Sequence, residues 1–151
     1  MEYLKELRVQ YVETTTPNRV AGQVRSAEDV HTLFKELEDD AKEKVLALYL
    51  DARMHIVTYE VLFIGNEESC ELTPRQVFKS ALLTNTSRFI LIHNHPTGDP
   101  TPTESDKRIM EEISQGADVL DMQMIDFVII GRKGFWSSFK SYGEQAEATI
   151  E

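Results

Sequence analysis

Residues 88–106, RFILIHNHPTGDPTPTESD, restrict the fold more than any other stretch of this 151-residue chain. An apolar run of strand length, Arg88 to His93, gives way to a polar, proline-broken segment from Asn94 to Pro102, and a helix start follows at Thr103. The period of two along a strand turns His93 and His95 to the same side. Pro96 ends the strand, and Gly98 with the Asp99-Pro100 turn brings the chain back. Asp106 then enters three residues after the Thr103 hydroxyl, in the first helical turn, where a carboxylate meets the favourable end of the helix dipole. A fold that accepts this stretch has a buried strand ending beside a helix N-terminus.

The flanking sequence supplies the partners such a strand needs. Residues 3 to 12 alternate loosely between apolar and polar types, which predicts an edge strand, before ETTTPNRVAGQ interrupts as a linker. Ser26 caps a predicted helix carrying Val30, Leu33, Phe34 and Leu37 at helical spacing and ending near Asp40. Val45 to Leu50 and Ile56 to Ile64, rich in Val, Ile, Tyr and Phe, predict an antiparallel pair joined at Asp51-Ala52-Arg53. Thr73, Pro74 and Gln76 form a capping box with proline at the first helical position, starting a helix that runs to about Leu83. After Thr103, Ile109, Met110 and Ile113 give an apolar face, and Gly116 predicts a stop. Met122 to Ile130 reads as a strand, GRKG as a turn, and Phe135 to Phe139 as a final strand, with a frayed tail over residues 144–151. Strands interleaved with helices but including hairpins predict an α/β fold, a mixed sheet covered on both faces.

A length of 151 residues predicts one domain with one core. The apolar runs VLALYL and RFILI are far shorter than the roughly 20 residues a membrane-spanning helix needs, and the first thirty residues lack a secretory pattern, so a cytoplasmic location is the default expectation. The chain carries 26 acidic against 16 basic residues, a formal charge of −10. A polyanion is repelled at long range by such a balance, and the cationic pairs Lys107-Arg108 and Arg132-Lys133 read as ordinary solvated surface, so direct DNA binding is disfavoured. Cys70 lies among acidic residues that raise a thiol's pKa, and reads as a bystander.

Two imidazole nitrogens and one carboxylate oxygen from His93, His95 and Asp106 make a borderline-soft donor set that suits Zn2+. Three protein ligands leave the fourth tetrahedral position for water, the pattern of a catalytic site. His-X-His alone is weak, because histidines at strand ends often bond only to backbone or water. The full string, with proline, turn and hydroxyl-X-X-Asp helix start, is far more specific. A general base is still required, and spacing alone leaves Glu43 and Glu60 both open.

Two His, seven residues, a hydroxyl and then Asp resemble the JAMM (MPN, or JAB) metalloprotease motif, and HNHPTGDPTPTESD is closest to the RadC branch. Similar landmarks run from about Ser26 to Gly143, including EKVLALYLD, PRQVFKSALL, DFVIIG and SFKSYG. The resemblance implies a three-layer α/β/α sandwich like that of cytidine deaminases. It implies a Zn2+-dependent hydrolase acting on a peptide or isopeptide bond of a protein substrate, with Glu43 as the general base. It further implies that a hydroxyl, here Thr103 in place of the usual serine, stabilises the oxyanion, although Thr103 also reads simply as a helix cap. Phe127 stands where RadC-like chains usually have histidine, and Asn66 where threonine is common, so substrate contacts are expected to differ more than metal binding. The helix-hairpin-helix region of longer RadC proteins is expected to be missing from the roughly 25 residues before the first helix.

Two other function classes compete. The DNA-repair label of the RadC family points to nucleic-acid processing, but the acidic balance opposes it, and His93-Asn94-His95 matches HNH nucleases in letters only. A silent JAMM-fold interaction module would generally have lost metal ligands that this chain keeps. His31 and His55 read as surface residues, and Trp136 beside Phe135 and Phe139 as packing.

Overall fold

In a computed structural model that describes residues 1–16, 21–65 and 72–139, a five-stranded sheet has the order β2-β1-β3-β4-β5. The strands are β1 (Glu43–Leu50), β2 (Ile56–Gly65), β3 (Arg88–Asn94), β4 (Gln123–Gly131) and β5 (Gly134–Ser137). Only β3 and β4 pair in parallel, joined by the crossover helix α3 (Glu104–Val119), and the other neighbours are antiparallel. α1 (Ala27–Leu33) and a 3-10 turn (Lys35–Asp39) cover one face, while α2 (Pro74–Leu83) and α3 cover the other. This is the expected three-layer α/β/α arrangement around a mixed sheet.

The strand period divides the apolar residues between two layers rather than the single core expected from length. Leu46, Leu48, Ile90, Ile92 and Val128 pack beneath Val30, Phe34 and Leu37. Val45, Ala47, Leu91, Phe127 and Ile129 pack beneath Val77, Phe78, Ile113 and Ala117 on the opposite side. β3 is buried along its whole length, because it lies centrally and is covered on both faces, which is why its sequence reads as a continuous apolar run. Its neighbour β1 turns into β2 through Asp51, whose Oδ1 accepts from the N–H groups of Arg53 at 2.8 Å and His55 at 2.9 Å, while Met54 takes a left-handed φ of 64°.

Several expectations need correction. Residues 3 to 12 form no strand: Tyr3, Leu4, Leu7 and Val12 are exposed and the segment has no ladder partner. Alternation says which side chains share a face, but not that a neighbouring strand exists. The predicted Ser26–Asp40 helix breaks at Phe34 (φ −119°, ψ 25°) and continues as the 3-10 turn. Gly116 does not stop α3; a Cβ there would meet Phe78 Cε2 at 2.7 Å, so the glycine permits α2 and α3 to approach. The helix ends instead at Val119, ahead of Asp121 with φ 54°. β5 closes at Ser137, short of Phe139. Asn66, Cys70 and residues 144–151 lie outside the described residues. No helix among the described residues is long and apolar enough to cross a membrane.

Candidate metal centre

The site forms where β3 runs out of the sheet. His93 is the penultimate residue of β3, and His95 extends the parallel pairing by one more bond, its N–H donating to the Ile130 carbonyl at 2.9 Å. Both imidazoles face the α2/α3 side, with ring centroids 4.9 Å apart. The chain then folds back through Gly98 (φ 97°), whose N–H donates to the His95 carbonyl at 2.9 Å, and whose carbonyl accepts from Lys133 N–H at 3.0 Å. A Cβ on Gly131 would stand 2.3 Å from that carbonyl oxygen, so the close seating of the loop on β4 requires glycine there.

α3 delivers the carboxylate through a reciprocal cap. Thr103 Oγ1 accepts from Asp106 N–H at 3.1 Å, and Asp106 Oδ2 accepts from Thr103 N–H at 2.8 Å. Asp106 is thereby buried with its oxygens toward the histidines: Oδ2 lies 3.1 Å from His95 Nε2, and Oδ1 lies 3.5 Å from His93 Nε2. Thr103 therefore works as a helix cap whatever else it does. Burial acts to raise the Asp106 carboxyl, but hydrogen bonds from His95 and from Thr103 N–H, with the charge of His93, outweigh it and hold the pKa near about 2. Burial conversely acts against a charged His95, but the hydrogen bonds to Asp106 and to the Asp99 carbonyl, with the charges of Asp106 and Glu43, together outweigh it, so its pKa is raised.

The orientation of each ring follows from what its other nitrogen meets. His93 Nδ1 lies 2.8 Å from the Lys44 carbonyl and His95 Nδ1 lies 2.8 Å from the Asp99 carbonyl. A carbonyl only accepts, so each Nδ1 carries a proton; each Nε2 faces the carboxylates, donating to them when the ring is doubly protonated and offering a lone pair to an ion when it is not. That second-layer support is what metal-binding imidazoles require. Phe127, read in the sequence as a departure from the family pattern, packs its buried ring at 6.5 Å from that of His93.

Glu43, the first residue of β1, reaches the same place: its Oε1 lies 2.9 Å from His93 Nε2. This hydrogen bond, working against partial burial, holds the Glu43 carboxyl below its ordinary value. Glu60, which sequence spacing left open, is opposite Ala47, four positions along β1 and hence roughly 13 Å from the rung of Glu43. It bonds instead to the Ser80 hydroxyl of α2. The remaining histidines lie elsewhere: His55 is exposed beside Asp51, but His31 is half-buried, bonded to Glu38 at 2.6 Å and stacked on Phe135, not the surface residue expected. Trp136 packs against the α2/α3 layer.

The donor atoms of His93, His95 and Asp106 all lie within 4.8 Å of one another, so these residues form a group able to hold a metal ion. Ligands at about 2.0–2.1 Å from a tetrahedral Zn2+ stand roughly 3.3 Å apart; here each histidine Nε2 is near a different Asp106 oxygen, at 3.1 Å for His95 and 3.5 Å for His93. Sequence spacing had not singled out the Lys44 and Asp99 carbonyls, Asn94 or Gly131. Of these only the Asn94 position between the two histidines carried any signal.

The sequence model of the RadC-like JAB domain matches residues 24–144. A UPF0758 protein of Methanococcoides burtonii is 40% identical over 86% of this chain and 56% of its own length. UPF0758 proteins of Methanosarcina mazei (38% identical, over 80% of this chain and 53% of the relative) and Thermotoga maritima (32%, over 83% and 56%) are similar in the same way. The chain thus spans about half the length of the curated relatives it matches. With the sheet order, the converging triad and the match over most of its length taken together, the chain belongs to the RadC-like JAB domain family.

Proposed function

We propose that this chain is a Zn2+-dependent hydrolase that cleaves a peptide or isopeptide bond, with His93, His95 and Asp106 as the metal ligands. The observation that carries the reading is the Glu43 carboxylate set 2.9 Å from His93 Nε2, beside the triad but supplied by a different strand. Zn2+, when bound, supplies Lewis acidity that polarises a carbonyl and brings the pKa of water from about 16 to about 7. Glu43 then needs only to take a proton from the attacking water and hand it to the leaving amine, the work of a general base and acid in turn. The position of Glu43 beside the triad, on a strand that supplies none of the three candidate ligands, leaves its carboxylate to act on water held there. Thr103 Oγ1 receives the Asp106 N–H, so its own proton remains available to donate to a developing oxyanion.

Nucleic-acid processing fits less well. Lys107 is paired with Glu104 at 3.1 Å and Arg132 with Asp39 at 3.4 Å, so both cationic pairs singled out in the sequence are partly neutralised.

Metal analysis and turnover measured on one preparation test the proposal. The expected result is one Zn2+ per chain in wild type, its loss in His95→Ala, and retention in Glu43→Gln with peptide or isopeptide hydrolysis lowered about 100- to 10,000-fold. Undiminished turnover in Glu43→Gln overturns the base assignment, and a wild-type chain that takes up no metal on titration leaves only a scaffolding role.

A further inference from the structure

The side chain between the two histidines points the other way. Asn94 is fully buried, on the opposite face of the sheet from His93 and His95, and the function proposed above makes no use of it. Its amide reaches across to the start of β1. Oδ1 accepts from Lys44 N–H at 2.7 Å, and Nδ2 donates to the Lys42 carbonyl at 3.0 Å and to the Leu37 carbonyl at 3.5 Å.

These bonds fall where the regular ladder ends. The β1–β3 register closes at Val45 opposite His93, and the next rung would set Lys44 against Asn94. There the Lys44 backbone is held by side chains instead: its N–H goes to Asn94, and its carbonyl accepts from His93 Nδ1 at 2.8 Å. The same carbonyl fixes which nitrogen of His93 faces Asp106, and the residue beside it is Glu43. Asn94 therefore grips both sides of Glu43 through Lys42 and Lys44.

We infer that Asn94 is a positioning residue of the site: it holds residues 42–44 in register, and through them aims the Glu43 carboxylate and the His93 imidazole. An apolar side chain of similar size would leave three backbone groups without these partners. The inference rests on the metal reading, since a clamp on His93 matters to an ion only if an ion binds.

Co2+ titration of the full chain, followed by visible absorbance, tests it. Compared are wild type, Asn94→Ala, Asn94→Asp and a control, Ala117→Gly, which loosens α3 about 16 Å along the helix from Asp106. Asn94→Ala is expected to weaken Co2+ binding about 10- to 100-fold, the usual cost of losing a residue that orients a metal-binding imidazole, with Ala117→Gly within twofold of wild type. Should Asn94→Ala not fold, Asn94→Asp carries the same expectation, because it keeps the acceptor for Lys44 but loses both donations. Wild-type affinity in the folded Asn94 variants, or an equal loss in Ala117→Gly, overturns the inference and leaves the metal reading standing. A wild-type chain that binds no Co2+ removes both.

Discussion

Asp106 is held by three groups that all favour its charged form, and this has a cost at low pH. Its folded pKa of about 2 lies below the ordinary 3.8, so the carboxylate contributes stability that is fully present above about pH 4 and is lost as the pH falls through 2. In metal-free protein, kept so with a chelator, the difference in unfolding free energy between wild type and Asp106→Asn should shrink by about 2 kcal/mol from pH 6 to pH 2. Denaturant melts at the two pH values measure it, and a constant difference would mean that the hydrogen bonds of Asp106 do not discriminate between its protonation states. The grouping of the three candidate ligands was legible in the sequence because the strand and helix periodicities each fix a direction. Glu43 came only from the family resemblance and not from spacing, because choosing it over Glu60 depends on cross-strand register, which spacing along one strand does not carry. Asn94 showed its position but not its partners, which lie 50 and 52 residues away along the chain.

Two glycines show why single-residue signals mislead about segments. In isolation Gly116 lowers helix propensity, and replacing it with alanine would gain up to about 1 kcal/mol. The new Cβ, however, would lie 2.7 Å from the buried Phe78 ring, and overpacking of that kind costs about 1–3 kcal/mol. The packing term wins, so Gly116→Ala should destabilise the fold by about 1–2 kcal/mol in a denaturant melt. Gly131→Ala acts on the site instead, pushing the Gly98 carbonyl and the returning loop off β4. It should weaken metal binding as well as stability, whereas Gly116→Ala should leave the metal affinity of the folded protein unchanged; isothermal titration separates the two. α1 was misread for a related reason, since its apolar spacing continues through Phe34 while the backbone there tightens to 3-10 geometry.

The exposed amino-terminal segment and a bound ion bear on how the whole molecule behaves. Residues 1–12 make no ladder contact, so deleting them should leave the thermal midpoint within about 2 °C, a shift worth less than 1 kcal/mol for a domain of this size. A larger fall would show that the segment packs against the sheet. An ion that binds only the folded chain adds RT ln(1 + [L]/Kd), about 2.7 kcal/mol at one hundred times Kd, so saturating Zn2+ should raise the midpoint by several degrees and a chelator should reverse it.

The apolar residues also fall into two populations that meet only through the sheet. Every ligand candidate, and Glu43, faces the α2/α3 side, while Phe34, Leu37 and Val30 fill the other. The second layer acts as ballast: the clustered buried side chains that fill it are apolar, and the candidate ligands lie on the other face. Its hydrophobic filling can therefore drift or be redesigned at constant volume, changing how firmly the sheet is weighted without changing what is done on the other side.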